Sequence, residues 1–340
     1  MERIMKQKIV FLIFIFSLPF GESWRGAFAQ DIHFSQFYYS PLTTNPAQTG
    51  FFNGKYRFAV NYRDQWNFVS YYKTFSASVD MHLMDIDNNI LGAGIYFIND
   101  KATIGHGTSG AMASIAYHKD LSGGTNIVAF GLQGGLMRTG FDPNTLRFGD
   151  QIQNQSNGTD APTGEVFSQT STQYVDVNAG VLWNFIPSDK MNIYAGISLP
   201  HLARPSTVFM EIDKWNLSSR FILQGGAAIS VNENLDVLPS LLYMKQGGSK
   251  EFFLGTAVRF NFAGEMGLRL GAWYRQVQSD ALVLMAGFDW KNLKLGLSYD
   301  INMSSLSEVS KGKGGFEIAL IYIITPPKKK AKGGITCPRF

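Results

Sequence analysis

The sequence has 340 residues, a formal net charge of +4 and a mean hydropathy of −0.04. Its charged fraction is 16% and its aromatic fraction is 14%, whereas about 25% of the residues of a soluble domain are charged. Part of the surface is therefore expected to face something other than water. The small net charge gives no basis for nucleic-acid binding, and the single cysteine, Cys337, excludes an internal disulfide.

Residues 1–29 have the pattern of a secretory signal peptide. A basic start precedes an apolar run over 9–20 and the small-x-small sequence Ala-Phe-Ala at 27–29. Cleavage there makes Gln30 the first residue, removes four basic and two acidic residues, and lowers the formal charge to +2. An uncleaved anchor helix is the alternative. The rest of the chain has no second long apolar run, so it is either soluble or a membrane-spanning barrel.

Residues 30–53 precede the first predicted strand, and we assign them to a periplasmic N-terminal segment. A plug inside the barrel, or a segment that seals its strands, is an equally open interpretation. The candidate contact residues of this segment are Phe34, Phe37, Tyr38, Tyr39 and Asn45.

From residue 54 onward, apolar and polar residues alternate, as in Leu293, Leu295, Leu297 and Tyr299 with polar residues or glycine between them. Such alternation predicts strands with one apolar and one polar face. We predict an all-β fold, a transmembrane antiparallel β-barrel of about 14 strands over residues 54–324. The predicted strands are 54–64, 71–84, 90–99, 106–120, 125–139, 169–185, 190–199, 218–231, 234–244, 251–261, 265–275, 280–290, 292–303 and 314–324.

The predicted connections alternate between short turns rich in Asn, Asp and Gly and longer loops that include 140–168, 200–217 and 304–313. Bacterial barrels place short turns in the periplasm and long loops outside. An even strand count then places both mature termini in the periplasm. The basic tail 325–340 is either solvated or touches a periplasmic partner or anionic headgroups.

The loop 140–168 is the longest predicted connection, and loops of this length in compact folds are functional or disordered. It either folds over the barrel mouth or forms a docking surface for a secreted protein. The candidate cargo-binding residues are Phe141, Leu146, Arg147, Phe148 and Asp150.

Polar residues of mixed sign are predicted to face the lumen, where they either brace one another or line a pore. They include Arg63, Asp176, Asn178, Arg259, Asn261, Arg269, Arg275 and Asp300. The five histidines have no zinc-ligand spacing and belong to no catalytic motif. We therefore expect no enzyme activity, no metal and no cofactor.

Several sequence blocks resemble the PorP/SprF family of the type IX secretion system. They are QDIHFSQFYYSPL at 30–42, NPAQTG at 45–50, YRDQW at 62–66, LRFGDQ at 146–151 and CPRF at 337–340. The resemblance covers the whole mature chain.

The resemblance implies an outer-membrane barrel that helps to secrete or anchor a surface protein, such as a large adhesin, through that protein's C-terminal domain. It also implies coupling to periplasmic components of secretion and gliding motility. A passive porin or a channel for hydrophobic solutes is the alternative, and a barrel hydrolase is a third possibility. Outer-membrane lipid is a further expected partner.

Overall fold

The computed structural model describes residues 31–65, 72–86, 89–102, 105–146, 151, 164, 167, 169–207, 216–276, 281–303 and 312–325. Fourteen antiparallel strands form one closed barrel, in which each strand pairs with its sequence neighbours and the last pairs with the first. The strands are β1 (Tyr56–Gln65), β2 (Tyr72–Ile86), β3 (Asn89–Ala102), β4 (Gly107–Asp120), β5 (Asn126–Gly140), β6 (Ser171–Ser188), β7 (Met191–Leu199), β8 (Arg220–Asn232), β9 (Leu235–Gln246), β10 (Ser249–Phe262), β11 (Met266–Gln276), β12 (Ala281–Trp290), β13 (Leu293–Asn302) and β14 (Lys313–Ile324).

The predicted fold class and strand number are confirmed, and every predicted strand overlaps an observed one. The largest differences are extensions at strand ends. β6, for example, continues through Pro187, which we expected in a turn. The register shifts between Phe185 and Ser188. A bulge of this kind tolerates a proline because the missing N–H falls where the ladder is already interrupted.

The two faces of the wall reverse the usual arrangement of a soluble protein. Large apolar side chains point outward and are exposed, up to 67% for Leu136. Charged side chains point into the lumen and are buried, as Arg63 (3%) and Glu317 (1%) show. Apolar residues outside and polar residues inside are the pattern of a barrel whose outer face contacts lipid.

The barrel has two different ends. At the turn end, strands join through short turns, such as the one between Trp290 and Leu293, where Lys291 has a φ of +51°. At the loop end lie the longer connections between β5 and β6, β7 and β8, and β13 and β14. β9 and β10 are joined tightly through Gly247 and Gly248 at this same end, so the predicted alternation of connection lengths is not strict.

Residues 31–55 precede β1 and form no strand. They contain a short helix, α1 (Pro41–Thr44), between two 3-10 turns, Phe37–Tyr39 and Pro46–Gln48. Prolines open α1 and the second turn, where their missing N–H groups leave no helical hydrogen bond unmade. Within the described residues, no helix is long and apolar enough to cross a membrane.

Candidate functional site

Residues 31–55, which we call the plug, run through the lumen from the loop end to the turn end. At the loop end, the backbone N–H of Asp31 donates to Oε1 of Gln246, the last residue of β9, at 2.9 Å. At the turn end, the N–H of Lys55 donates to the carbonyl of Ile324, the last residue of β14, at 2.8 Å. The chain therefore crosses the whole barrel before its first strand begins.

This path corrects two expectations. Asp31 and Ile324 lie at opposite ends of the barrel, so the expectation that both mature termini face the periplasm is wrong. The plug adds a passage through the lumen that a strand count ignores. Residues 30–53 are likewise not a periplasmic segment, because from Asp31 onward they fill the barrel. Of their candidate contact residues, Phe34, Phe37, Tyr39 and Asn45 are buried there and Tyr38 is half-buried.

A buried cluster of charged side chains holds the part of the plug that lies nearer the loop end. The backbone N–H groups of Ser35 and Gln36 each donate to an oxygen of Glu317, at 2.8 and 2.9 Å. The Ser35 hydroxyl donates to Asp300 at 3.0 Å and accepts from Arg63 at 2.6 Å. Arg63 also forms ion pairs with Asp300 at 2.8 Å and with Glu317 at 3.3 Å. Removing one member of such a buried set leaves an uncompensated charge, which destabilises strongly.

Three aromatic side chains fill the middle of the lumen. Tyr38 stacks on Trp273 with ring centroids 5.4 Å apart, and Phe37 meets Phe253 edge-on at 6.5 Å. Tyr39 donates to a strand carbonyl from its hydroxyl. The packing leaves apolar rings in the space where an open channel would hold water.

Inward-facing glycines let the plug backbone approach the wall closely. Asn45 donates to the carbonyls of Val181 and Ile197, at 3.1 and 3.3 Å. A Cβ on Gly180 would lie 2.0 Å from the side-chain oxygen Oδ1 of Asn45, and one on Gly131 would lie 2.3 Å from the plug backbone. The wall glycines that would meet the plug in this way are Gly92, Gly94, Gly131, Gly180, Gly196, Gly287 and Gly296.

Near the turn end, the plug is held by the carboxylate of Asp80 and the imidazole of His118. Asp80 accepts from the backbone N–H of Gly50 at 2.7 Å and binds Arg57 through both oxygens, at 2.9 and 2.7 Å. His118 stacks on Phe51 with ring centroids 5.1 Å apart and an interplanar angle of 9°. Bidentate charge-assisted bonds of this kind are among the stronger polar interactions in proteins, and here they fix the turn that leads into β1.

A histidine between two carboxylates latches the plug at the loop end. His201 follows β7 with a φ of +59°. Its Nδ1 lies 2.8 Å from Asp176 of β6, and its Nε2 contacts the carboxylate of Asp31. Burial alone would lower the pKa of His201, but the two carboxylates raise it to about 9. Burial opposes the charge of Asp31 as well, yet His201 and Arg220 hold the pKa of Asp31 below its ordinary value.

The polar residues that we predicted for the lumen brace one another, which is the first of the two interpretations kept open above. Asn178 donates to Gln133 at 2.7 Å, and Asn261 donates to Asp236 at 2.9 Å. Their ion pairs with residues of the wall include Arg63–Asp300, Arg63–Glu317, Arg275–Asp300, Arg259–Asp236, Arg269–Asp289 and His201–Asp176.

Of the predicted cargo-binding residues, the structure places two. Phe141 and Leu146 are half-buried at the loop end. The Phe141 ring meets Phe167 edge-on at 5.0 Å. Arg147, Phe148 and Asp150 lie outside the described residues, as do the signal peptide and the basic tail from residue 326. Whether these five residues form one surface stays a prediction.

Sequence reasoning missed the features that hold the plug. Ser35 and Gln36 were not singled out, and neither were the inward glycines. A usable signal was present, since Gly131 and Gly180 occupy inward positions where a strand of an open barrel carries polar side chains. Among the described residues, no group of three or more His, Cys, Asp or Glu side chains is arranged to hold a metal ion.

Comparisons with known proteins agree with this architecture. The sequence model of a family described as "Type IX secretion system membrane protein PorP/SprF" matches residues 27–322. No curated protein matches the chain. The CymD monoaromatic hydrocarbon channel and the Pseudomonas putida toluene transporter TodX each superpose with a TM-score of 0.50 at 10% identity, covering 84% of this chain and 93% of theirs. Likeness at this identity shows a shared outer-membrane barrel fold alone.

Proposed function

Because the chain belongs to the PorP/SprF family of type IX secretion system membrane proteins, we propose that it is a closed outer-membrane barrel that helps to secrete or anchor a surface protein. In this role the wall supplies a rigid support in the membrane. Docking takes place at the ends of the barrel, and nothing needs to pass through the lumen. We propose no catalytic step and no cofactor.

One observation carries this proposal, namely that the plug fills the lumen from end to end. The backbone N–H of Ser35 donates a hydrogen bond to Glu317 near the loop end, and that of Gly50 donates one to Asp80 near the turn end. A conduit would require this continuous set of buried contacts to break. The channel and transporter activities named for the structural neighbours belong to those proteins, and the filled lumen argues against a similar passive channel here.

The two ends suit different partners. With the long loops outside, residues 140–168 meet the C-terminal domain of an adhesin-like cargo, and Phe141 and Leu146 supply apolar contacts there. The turn end and the tail 325–340 then face the periplasm, where type IX components that drive secretion or gliding bind. Residues 1–29 act as the cleaved signal peptide that brings the chain to the outer membrane.

The test is a pull-down from detergent-solubilised outer membranes with an affinity tag inserted at Asn157. We expect one large secreted protein to be recovered with the barrel. Replacement of residues 141–152 by a Gly/Ser linker of equal length is expected to abolish recovery. Replacement of 153–156 and 158–163 by the same kind of linker, which keeps the tagged position 157, is the matched control and is expected to preserve it.

Barrel folding is verified in every variant on a denaturing gel, where the unheated, folded barrel migrates at a different position from the same protein after heating. If both replacements retain the secreted protein equally, the loop is not its docking site. If folded wild-type protein recovers no secreted protein, the proposed anchoring role is wrong.

A further inference from the structure

The plug leaves part of the lumen open at the turn end. On the side of β2–β5 the inward side chains are buried against it, as His118 and Ile127 show. Along β7–β10, most inward side chains in the turn-end half of the strands are only half-buried. They include Asn192, Tyr194, Ala228, Ser230, Leu238, Ser240, Arg259 and Asn261. We call the space that they line the vestibule.

The vestibule is closed toward the loop end. Further along β8, β9 and β10, the inward side chains of Ile222, Leu242 and Phe253 are buried, with exposures of 2%, 1% and 0%. Tyr38 of the plug stacks on Trp273 at the boundary between the half-buried and the buried regions. Within the described residues, the vestibule is therefore a recess that opens at the turn end.

Two side-chain amides at this wall have unused hydrogen-bonding atoms. Asn184 of β6 stands opposite Tyr194 of β7. It is 1% exposed, and within the described residues neither polar atom of its amide has a partner. The Oδ1 atom of Asn192 has none there either. A buried polar group without a partner costs about 1–3 kcal/mol, and a peptide backbone supplies both the donor and the acceptor that such an amide needs. The wall therefore favours an extended peptide over an apolar solute.

The chain itself continues from the same end of the barrel. β14 ends with Ile324, whose carbonyl accepts from Lys55 at the turn end, and the tail 325–340 follows. In the closed barrel, β7 is seven strands from β14 in either direction, so the two strands face each other across the lumen. Fourteen strands about 4.8 Å apart and tilted by about 40° give a diameter of about 28 Å. Residues 325–337 span about 43 Å when extended, so Cys337 can cross the mouth of the barrel and reach β7.

The charges of the tail complement those of the nearby turns. Residues 328–332 have the sequence KKKAK, whereas residues 333–338, GGITCP, contain no charged residue. The β8–β9 and β10–β11 turns, which border the vestibule, each have one charged residue, Glu233 and Glu265, and both are exposed. Exposed ion pairs contribute at most about 1 kcal/mol each. They therefore orient the basic part of the tail at the rim and leave the small, neutral part for the vestibule.

We propose that the vestibule binds the chain's own tail, with residues 333–338 along the amides of β6 and β7 and the lysines of 328–332 on Glu233 and Glu265. The bound tail supplies backbone donors and acceptors to Asn184 and Asn192. It also covers the recess at the turn end, so a partner that binds there meets the tail in place. This inference concerns the barrel alone and does not rest on the proposed role in secretion.

The test uses Cys337, the single cysteine of the chain, as a reporter in the full protein purified in detergent. A second cysteine is introduced by N192C inside the vestibule or by K190C on the exposed turn that precedes β7. Copper phenanthroline and air oxidise the pair, and peptide mass spectrometry follows disulfide formation over time. A tail that stays in solvent meets the exposed turn at least as often as the recess. A bound tail has a higher effective concentration at the recess, so we expect N192C to react at least about tenfold faster than K190C.

A second position and a charge variant complete the test. Ala228 stands opposite Asn192, and A228C is expected to react like N192C. Labelling by a small methanethiosulfonate in a C337S background confirms that each introduced cysteine can react. Changing the lysines of 328–332 to glutamine is expected to slow the reaction of N192C and A228C several-fold, because their ion pairs with the rim are lost. In folded barrels, a reaction of K190C that is as fast as that of N192C and A228C would overturn the binding of the tail in the vestibule. An unchanged rate in the glutamine variant would overturn the placement of the lysines at the rim.

Discussion

Gly131 offers the sharpest test of the plug, because a single methyl group at this position collides with plug backbone. An added Cβ would lie 2.3 Å from the carbonyl carbon of Pro46 and from the nitrogen of Ala47. Neither atom can rotate away, as the end of a flexible side chain could. Non-bonded heavy atoms in proteins approach to about 3.5–4.0 Å. The Gly131→Ala variant must therefore move the plug by more than 1 Å.

The energetic cost follows from the contacts that such a shift breaks. The two bonds that Asn45 donates to strand carbonyls measure 3.1 and 3.3 Å, so a displacement of this size takes them beyond hydrogen-bonding distance. Each contributes about 1 kcal/mol, and overpacking adds about 1–3 kcal/mol. Docking of the plug is then weakened by about 3 kcal/mol, which raises the undocked population on the order of 100-fold.

Two measurements report undocking. Chymotrypsin cleaves at the aromatic residues of the plug, and when opening is fast relative to cleavage its rate follows the population of the open form. Planar-bilayer recording reports whether the lumen conducts. We expect the wild type to be slowly cleaved and non-conducting, and Gly131→Ala to be cleaved much faster and to show current steps while its barrel stays folded.

The matched control is Gly134→Ala on the same strand. Its new Cβ would point outward, with the nearest heavy atom 3.8 Å away. Both variants change glycine to alanine in β5, so they have the same effect on the unfolded chain. If Gly131→Ala is as protected and as non-conducting as Gly134→Ala, the plug does not dock against β5 in the way the structure shows.

The remaining predictions concern the ends of the plug and its orientation. The pKa of His201 is raised to about 9, so its latching contribution is complete below its unfolded pKa of about 6.5 and is lost as pH rises through about 9. The hydrogen-exchange protection factor of residues 32–34, which is the rate corrected for the intrinsic pH dependence of exchange, should therefore fall between pH 7 and pH 10, and His201→Gln should remove this fall. Asp80→Asn leaves Arg57 buried without its carboxylate and should lower the unfolding free energy in urea by about 3–5 kcal/mol, and the double variant with Arg57→Met should recover part of it. In a Cys337→Ser background, an impermeant maleimide should label Leu202→Cys on whole cells and leave Lys291→Cys unlabelled, and the opposite result would invert the orientation.

The barrel was predictable because its signal is local. A strand such as β13 shows its two faces in ten consecutive residues, with Leu295 and Leu297 outside and Ser298 and Asp300 inside. A closed sheet repeats this signal in every strand, so an error at one boundary does not alter the fold. Most of the short connections were predictable for the same reason, because turn-forming residues such as Asn232 and Gly264 mark them in the local sequence.

The plug was not predictable to the same degree because its contacts are remote in sequence. Ser35 meets Glu317 and Asp31 meets Gln246, and no periodicity links such pairs. The aromatic residues of the plug give the same sequence pattern whether they bind a periplasmic partner or fill the lumen. What separates the two interpretations is the shape of the wall, and that shape exists only once all fourteen strands have closed.

The inward glycines indicate that plug and barrel are one folding unit. Glycine within a strand costs conformational entropy and gives no side chain for packing, so Gly92, Gly131 and Gly180 weaken an empty barrel. The cost is offset when Thr49, Asn45 and their neighbours occupy the space that side chains would have filled. The carboxylates of Asp80, Asp300 and Glu317 likewise gain backbone N–H or hydroxyl partners from the plug. The interior of this barrel is thus built to hold its own N-terminal segment, which leaves the two rims and the outer wall as the surfaces that can recognise other molecules.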